Sequence, residues 1–299
     1  MSVLVAHSLD QVLDAYATDP RATLLAGGTD LMVEVNEGHR RFEGGDDALV
    51  IALAGVPELA AFTVDTERRV IELGAAVRWT DVERAPLADL LPALAEAART
   101  VGSPQIRHAG TVGGNLATCS PAGDGLPVLA ALDAVVHLAS RGARRSLPVA
   151  EFMVGVKRTA LVPGELIERI DVPLLDGWQG YSKVGVRNAM VIATASACVA
   201  TDVPTRSIRI ALGSVGPTVL RCPAAETAAM SSVDWDELRI SPEAAAEIGE
   251  QAAAESRPID DHRSTAAYRR HAVGVMVRRQ LLRAFPGRSL PGRSSEVRS

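Results

Sequence analysis

Two short segments place paired glycines where a bare main chain could meet an anion. The first, Leu24-Leu25-Ala26-Gly27-Gly28-Thr29-Asp30-Leu31, runs from an apolar stretch through a Gly-Gly turn into a helix-like pattern. Glycine permits positive φ and leaves no Cβ between backbone and ligand. Successive amide N–H groups in such a turn form a concave anion site, helped by the helix N-terminus that follows. A helix end contributes only about 0.3–1 kcal/mol at exposed sites, so several amides must act together. The second segment, Gly110-Thr111-Val112-Gly113-Gly114-Asn115-Leu116, adds Thr111 and Asn115 as hydrogen-bond donors. It leads into Ser120-Pro121-Ala122-Gly123-Asp124, where Asp124 offers a carboxylate suited to sugar or ribityl hydroxyls. Two such cradles fit a diphosphate better than a single phosphate.

Taken alone, a Gly-Gly turn after a strand is more often a tight connection than a phosphate site. Neither segment matches the dinucleotide fingerprint GxGxxG or the phosphate loop GxxxxGK[ST], which disfavours those two nucleotide folds. Other chemistry finds little support. Cys119, Cys198 and Cys222 are widely spaced, with no CxxC pair and no zinc or iron–sulfur pattern. They read as free thiols in a reducing compartment. The six histidines show no ligand spacing either, and no Ser/His/Asp or Cys/His arrangement stands out. Redox chemistry on this chain would need an organic carrier.

The net charge of -5 leaves no basic excess to attract nucleic acid. A length of 299 residues, 47% hydrophobic, can bury a core without metals or disulfides and points to about two domains. No apolar run reaches the roughly 18–20 residues that span a bilayer. Met1 to Asp10 lacks the features of a signal peptide, so the expected location is the cytoplasm.

The elements that must hold the two loops are legible in outline. Ser8 and Gln11 form a capping box ahead of Leu9, Val12, Leu13 and Tyr16 at helical spacing. Thr23 to Ala26 and Ala48 to Leu53 read as buried strands, Leu31 to Val35 as a helix, and Glu37 to Asp47 as an exposed charged loop. Val70 to Gly74 is another strand. Thr80 and Glu83 suggest a second capping box, and Leu87 to Val101 a single buried helix. Gly102 to Ala122 is over-long for a simple connection and reads as a functional loop. A helix from Gly123 to about Leu132 and strands at Ala134 to Leu138 and Leu166 to Val172 follow. Tyr181 to Val186, Val191 to Ala200 and Ser207 to Val215 predict a three-stranded antiparallel sheet. Helices at about Pro223 to Met230, Pro242 to Ala254 and Ser264 to Arg283 would cover one face. Pro286-Gly287-Arg288-Ser289 recurs as Pro291-Gly292-Arg293-Ser294, which predicts a disordered tail over 286–299.

In combination these segments are far more specific. AGGTDL, then TVGGNLATCSPAGD, then LIERIDVP, in that order, resemble the FAD-binding (medium) subunit of the molybdenum hydroxylase family. That family includes the medium subunit of aerobic carbon monoxide dehydrogenase and the flavin domain of xanthine dehydrogenase. The likeness continues in Gly180-Tyr181-Ser182-Lys183-Val184-Gly185-Val186-Arg187, in Ala211-Leu212-Gly213-Ser214-Val215-Gly216 and in Tyr268-Arg269-Arg270. It runs from about Val5 to Leu282.

The resemblance implies an α+β fold: a two-subdomain FAD-binding domain of the vanillyl-alcohol-oxidase (PCMH) type over 1–175, divided at about residue 55, and a C-terminal domain over 176–285. It implies FAD as cofactor. Ala26, Gly27, Gly28, Thr29, Asp30 and Leu31 match the first phosphate loop, and Thr111, Gly113, Gly114 and Asn115 the second. Asp124 matches an acidic residue near the ribityl chain, Ile167 an aliphatic residue against the isoalloxazine, and Lys183 a basic residue near the ring. Without the family match, Ile167 would be core, Lys183 a solvated charge and Asp124 a helix cap. Val101 stands where some relatives carry an aromatic ring, and no cysteines are present for an additional cluster. The implied function is electron relay within a heteromer. Electrons would come from a 2Fe-2S small subunit beside a molybdenum-cofactor large subunit and go to NAD, a quinone or dioxygen. A free-standing FAD oxidoreductase, or a flavin-free scaffold, would use the same fold. Co-purifying partners and a yellow chain separate the three.

Overall fold

Parallel neighbouring strands need a crossover connection, usually a helix, that returns the chain to the end of the sheet where the first strand began. This governs the first part of the computed structural model, which describes residues 1–287. β1 (Ser2–Val5), α1 (Leu9–Thr18), β2 (Thr23–Leu25), α2 (Leu31–Asn36) and β3 (Leu49–Ala52) form a parallel sheet of order β1-β3-β2. Ser8 Oγ accepts from the Gln11 amide at 3.3 Å, and Gln11 Oε1 accepts from the His7 amide at 2.8 Å. The capping pair is therefore present, with its return bond one residue earlier than a standard box. Leu9, Val12 and Leu13 then pack with Ile51 and Leu59.

After α3 (Pro57–Ala60), the chain forms β4 (Phe62–Asp65) and β5 (Val70–Gly74), then six short helices. These are α4 (Trp79–Val82), α5 (Leu87–Leu90), α6 (Pro92–Thr100), α7 (Pro104–Ala109), α8 (Val112–Thr118) and α9 (Gly125–Ala131). β6 (Val135–Ala139), β7 (Arg144–Pro148), α10 (Val149–Phe152), the hairpin of β8 (Met153–Gly155) and β9 (Arg158–Thr159), and β10 (Leu166–Pro173) follow. The larger strands make an antiparallel sheet of order β4-β5-β10-β6-β7, with β10 at its centre. Helices from α4 to α9 pack on it through Trp79, Leu94, Val112 and Leu126.

Three local expectations are corrected here. Thr80 does not cap: it lies inside α4, 7% exposed, and Arg78 occupies the cap position. The helix expected over Leu87 to Val101 is two helices, broken at Leu91-Pro92. Proline cannot donate to the preceding turn and drives the residue before it out of the helical region; Leu91 has φ −127° and ψ 62°. The stretch Gly102 to Ala122 is not one loop, because α7 and α8 occupy most of it. Ser103 and Thr111 are their caps.

The last sheet has the three expected strands, β11 (Gln179–Val184), β12 (Ala195–Asp202) and β13 (Ser207–Gly213), plus a two-residue β14 (Leu220–Arg221), all antiparallel. α11 (Pro223–Ser232), α12 (Pro242–Glu255) and α13 (Ala266–Ala284) cover one face. The other face meets α6 and α9. β12 is therefore covered on both sides. Ala195, Ala197 and Val199 point into the core beneath the helices, and Cys198 and Ala200 into the core of the central sheet. That explains a strand of small apolar residues without polar alternation. Pro286 bridges to Arg239, and the Gly287 amide donates to Leu238 O at 3.0 Å. The rest of the expected tail, 288–299, lies outside the described residues.

Candidate functional site

The first glycine loop leaves β2 and turns at Gly28, whose φ is +69°. A Cβ built there would meet Leu25 Cδ1 at 3.1 Å and Met32 Cγ at 3.3 Å. Glycine is thus required at 28 by its left-handed backbone. Gly27 has a different reason. Its missing Cβ would lie 2.0 Å from Ala109 O, so the main chain ahead of the second loop fills that space. Thr118 Oγ1 donates to Asp30 Oδ2 at 2.9 Å and ties the two loops again.

The amides of the loops differ. Among the described residues, the N–H groups of Gly27, Gly28, Thr29, Asp30 and Leu31 meet no protein acceptor. Five consecutive free amides beside a cavity have the form of an anion cradle. The second loop spends its amides internally: Val112 on Val77 O at 3.0 Å, Gly113 on Ala75 O at 2.9 Å, and Asn115 on Thr111 O at 3.0 Å. Gly114 donates to Thr111 Oγ1 at 3.0 Å. The expected second set of bare nitrogens is therefore not there. Gly113 serves close packing, since its Cβ would fall 2.5 Å from Ala75 O. What this loop presents instead is Asn115, whose Oδ1 is buried without a hydrogen-bond partner. A buried orphan acceptor costs about 1–3 kcal/mol unless something donates to it.

Both loops line one cavity of about 1140 Å³, larger than the roughly 300–1,000 Å³ of ordinary small-molecule sites. Ala26, Gly27, Gly28, Thr29, Asp30, Leu31, Thr111, Gly113, Gly114, Asn115, Asp124 and Ile167 all lie on its wall, as does Val101. Ile167 sits beside an irregularity in β10, where the register shifts between Ile167 and Arg169, and it is 7% exposed. Lys183 is not on that wall. Its Nζ donates to Asp124 Oδ2 at 2.8 Å and to Thr100 O at 3.0 Å. Tyr181 donates its hydroxyl to Asp124 Oδ1 at 2.7 Å. Burial pushes the Asp124 carboxyl above its ordinary range, while Lys183 and Tyr181 pull it back.

The wall also includes Trp79, Ser103, Met190, Ile192 and Arg263, which sequence spacing does not single out. Arg269 explains part of this. Its buried guanidinium donates to Thr194 O at 2.7 Å, Ser214 O at 3.0 Å and Asp261 Oδ1 at 2.6 Å. It therefore fastens the chain next to Ile192 and next to Arg263. The Tyr268-Arg269-Arg270 motif carried this signal without its meaning.

Residues 1–175 match the family model described as the FAD binding domain in molybdopterin dehydrogenase. The chain belongs to this FAD-binding family. Residues 181–284 of the flavoprotein match the CO dehydrogenase flavoprotein C-terminal domain. It is 31% identical to the carbon monoxide dehydrogenase medium chain of Hydrogenophaga pseudoflava, over 88% of this chain and 89% of that one. It is 30% identical to the nicotine 6-hydroxylase medium subunit of Paenarthrobacter nicotinovorans, over 93% and 94%. The glyceraldehyde dehydrogenase medium chain of Sulfolobus acidocaldarius is 31% identical, over 71% and 75%. The solved carbon monoxide dehydrogenase from Hydrogenophaga pseudoflava superposes with a TM-score of 0.84 at 29% identity, covering 96% of this chain and 97% of that one. The flavoprotein is thus an oxidoreductase medium subunit of the molybdenum hydroxylase type, with FAD as its cofactor. Its residues fit FAD: free amides for a pyrophosphate, an orphan Asn115 acceptor for a ligand donor, and a cavity large enough for an extended dinucleotide.

Proposed function

We propose that this chain holds FAD as the electron-transfer subunit of a heteromeric molybdenum hydroxylase. The observation that carries the reading is the run of five unpaired amides from Gly27 to Leu31 on the wall of the cavity. When bound, FAD supplies the redox chemistry that no side chain of this chain provides. Residues 1–175 hold it, and 176–285 close the site from the side through the segment ending at Ile192 and through Arg263. The Gly27–Leu31 amides bind the pyrophosphate. Asn115 and Asp124 accept from hydroxyl or ring N–H donors, Thr111 fixes the turn that aims Asn115, and Ile167 excludes water. Electrons come from a 2Fe-2S small subunit beside a molybdenum-cofactor large subunit and leave to NAD or a quinone. The relatives named as medium chains support this assignment of partners.

Affinity purification of the chain expressed with its neighbouring reading frames tests the proposal. A yellow complex containing a large and a small partner is expected. A yellow chain that purifies alone and reduces its flavin with a small substrate of its own would replace this reading with a free-standing oxidoreductase. The described helices include none long and apolar enough to cross a membrane.

A further inference from the structure

Lys183 and Asp124 are the most deeply placed ion pair near the cavity, with side chains 6% and 10% exposed. Asp124 faces the cavity and Lys183 does not. The lysine, on β11, donates both to the carboxylate and to Thr100 O at the end of α6. Tyr181, also on β11, occupies the other carboxylate oxygen and is itself 7% exposed. Glu96 of α6 accepts from the Tyr181 amide at 2.6 Å, which fixes the start of this arrangement.

We infer that Lys183 is a positioning residue which acts on the cofactor only through Asp124, holding that carboxylate ionised and aimed at the cavity. This rests on the FAD reading above, and it replaces the expectation of a basic side chain beside the ring. The geometry leaves little choice. Lys183 would have to abandon two hydrogen bonds to reach the cavity. Each Asp124 oxygen already accepts one hydrogen bond, from Tyr181 or from Lys183, and keeps a lone pair for a ligand donor. The groups facing Asp124 are Lys183 and Tyr181 from β11 and Thr100 from α6, with Ser196 of β12 behind Tyr181. Only Lys183 brings a positive charge. Burial favours a neutral Asp124, and Lys183 opposes that. A neutral carboxyl would offer the ligand an ordinary hydrogen bond, roughly half as strong as the charge-assisted one it replaces.

The test is FAD binding to deflavinated protein, read as quenching of flavin fluorescence between about pH 6 and pH 9. The proteins compared are wild type, Lys183→Met, Asp124→Asn and the double variant. Wild-type affinity should change by less than about threefold across the range. That of Lys183→Met should fall about tenfold toward the acid end, as a charge-assisted bond is lost. The double variant should bind no more weakly than Asp124→Asn alone, with no dependence on pH. A flat profile for Lys183→Met would show that Lys183 does not set the ionisation of Asp124, and a double variant about tenfold weaker than Asp124→Asn would show an action not routed through it; either overturns the inference. If Lys183→Met does not fold, the double variant carries no buried charge and its comparison with Asp124→Asn decides the matter. A wild-type chain that binds no FAD at any pH would overturn the cofactor reading itself, which is a separate and recognisable result.

Discussion

Gly27 and Ala109 touch through bare main chain: a methyl group on Gly27 would lie 2.0 Å from the Ala109 carbonyl oxygen. The two glycine loops are thus parts of one wall, set directly against each other. A substitution at 27 should damage the fold itself. Gly27→Ala is expected to lower the stability of the flavin-free protein by about 1–3 kcal/mol or more, the range for overpacking. Gly28→Ala places its Cβ against side-chain ends and meets chiefly the left-handed backbone, at about 1–2 kcal/mol. Denaturant midpoints should rank Gly27→Ala below Gly28→Ala. The reverse order would mean that the loops do not meet as described.

Asn115 gives a prediction in which stability and binding separate. Its Oδ1 is buried and unpartnered, so Asn115→Leu removes an uncompensated acceptor of similar volume. The flavin-free variant should be as stable as wild type or slightly more so, while FAD binds about tenfold more weakly, the loss of one hydrogen bond. Thermal unfolding without FAD and an FAD titration check the two halves. A variant that loses stability but binds normally would take Asn115 out of the site.

Thr111 caps α8 through the bond from Gly114. Thr111→Val keeps the shape and removes the acceptor, and should cost about 1 kcal/mol in chemical denaturation. FAD affinity should fall with it, because the cap fixes the turn that carries Asn115. An unchanged denaturation midpoint would show that the cap contributes nothing.

Acid stability should depend on Asp261. Burial pushes its carboxyl up, but the Arg263 amide, the Arg269 guanidinium and the Ser264 amide outweigh that and hold it at about 2. A depressed folded-state value contributes stability above the unfolded value of 3.8, lost as pH falls through about 2. Stability measured between about pH 4 and pH 2 should decline in wild type and decline less in Asp261→Asn. Identical slopes would exclude this linkage.

Thiol chemistry offers a simple check of the core. Cys119, Cys198 and Cys222 are all buried, and burial pushes each thiol above its ordinary range. A disulfide reagent should label none in the native protein and all three after unfolding. Prompt labelling of one would locate an opening of the fold.

The turn with its free amides is legible in the sequence because Gly27-Gly28 after an apolar strand is a local signal with a local cause. Asp124 and Ile167 were visible for a weaker reason: position in an ordered family pattern. The fate of the second loop was not legible. The carbonyls that consume the Val112 and Gly113 amides belong to Val77 and Ala75, more than thirty residues upstream, and no spacing within TVGGNL reports them. The pairing of Lys183 with Asp124, off the cavity wall, is not legible, since composition cannot say which carboxylate an ammonium meets. α7 and α8 were hidden because Gly, Ser and Thr at their ends read as loop, while those same residues serve as caps. β8, β9 and β14 are too short to carry a periodic signal.

The double cover of β12 bears on how the protein can be dissected. Tyr181, Cys198, Ala200, Ala211 and Val219 share a core with Trp79, Leu94 and Leu126, on the far side of the conventional division near residue 175. Severing the polypeptide there would leave an oily scar across α6 and α9 and deprive Asp124 of its counter-ion. The amino-terminal fragment should aggregate when made alone, and co-expression of the two halves, not either in isolation, is the route to splitting this flavoprotein.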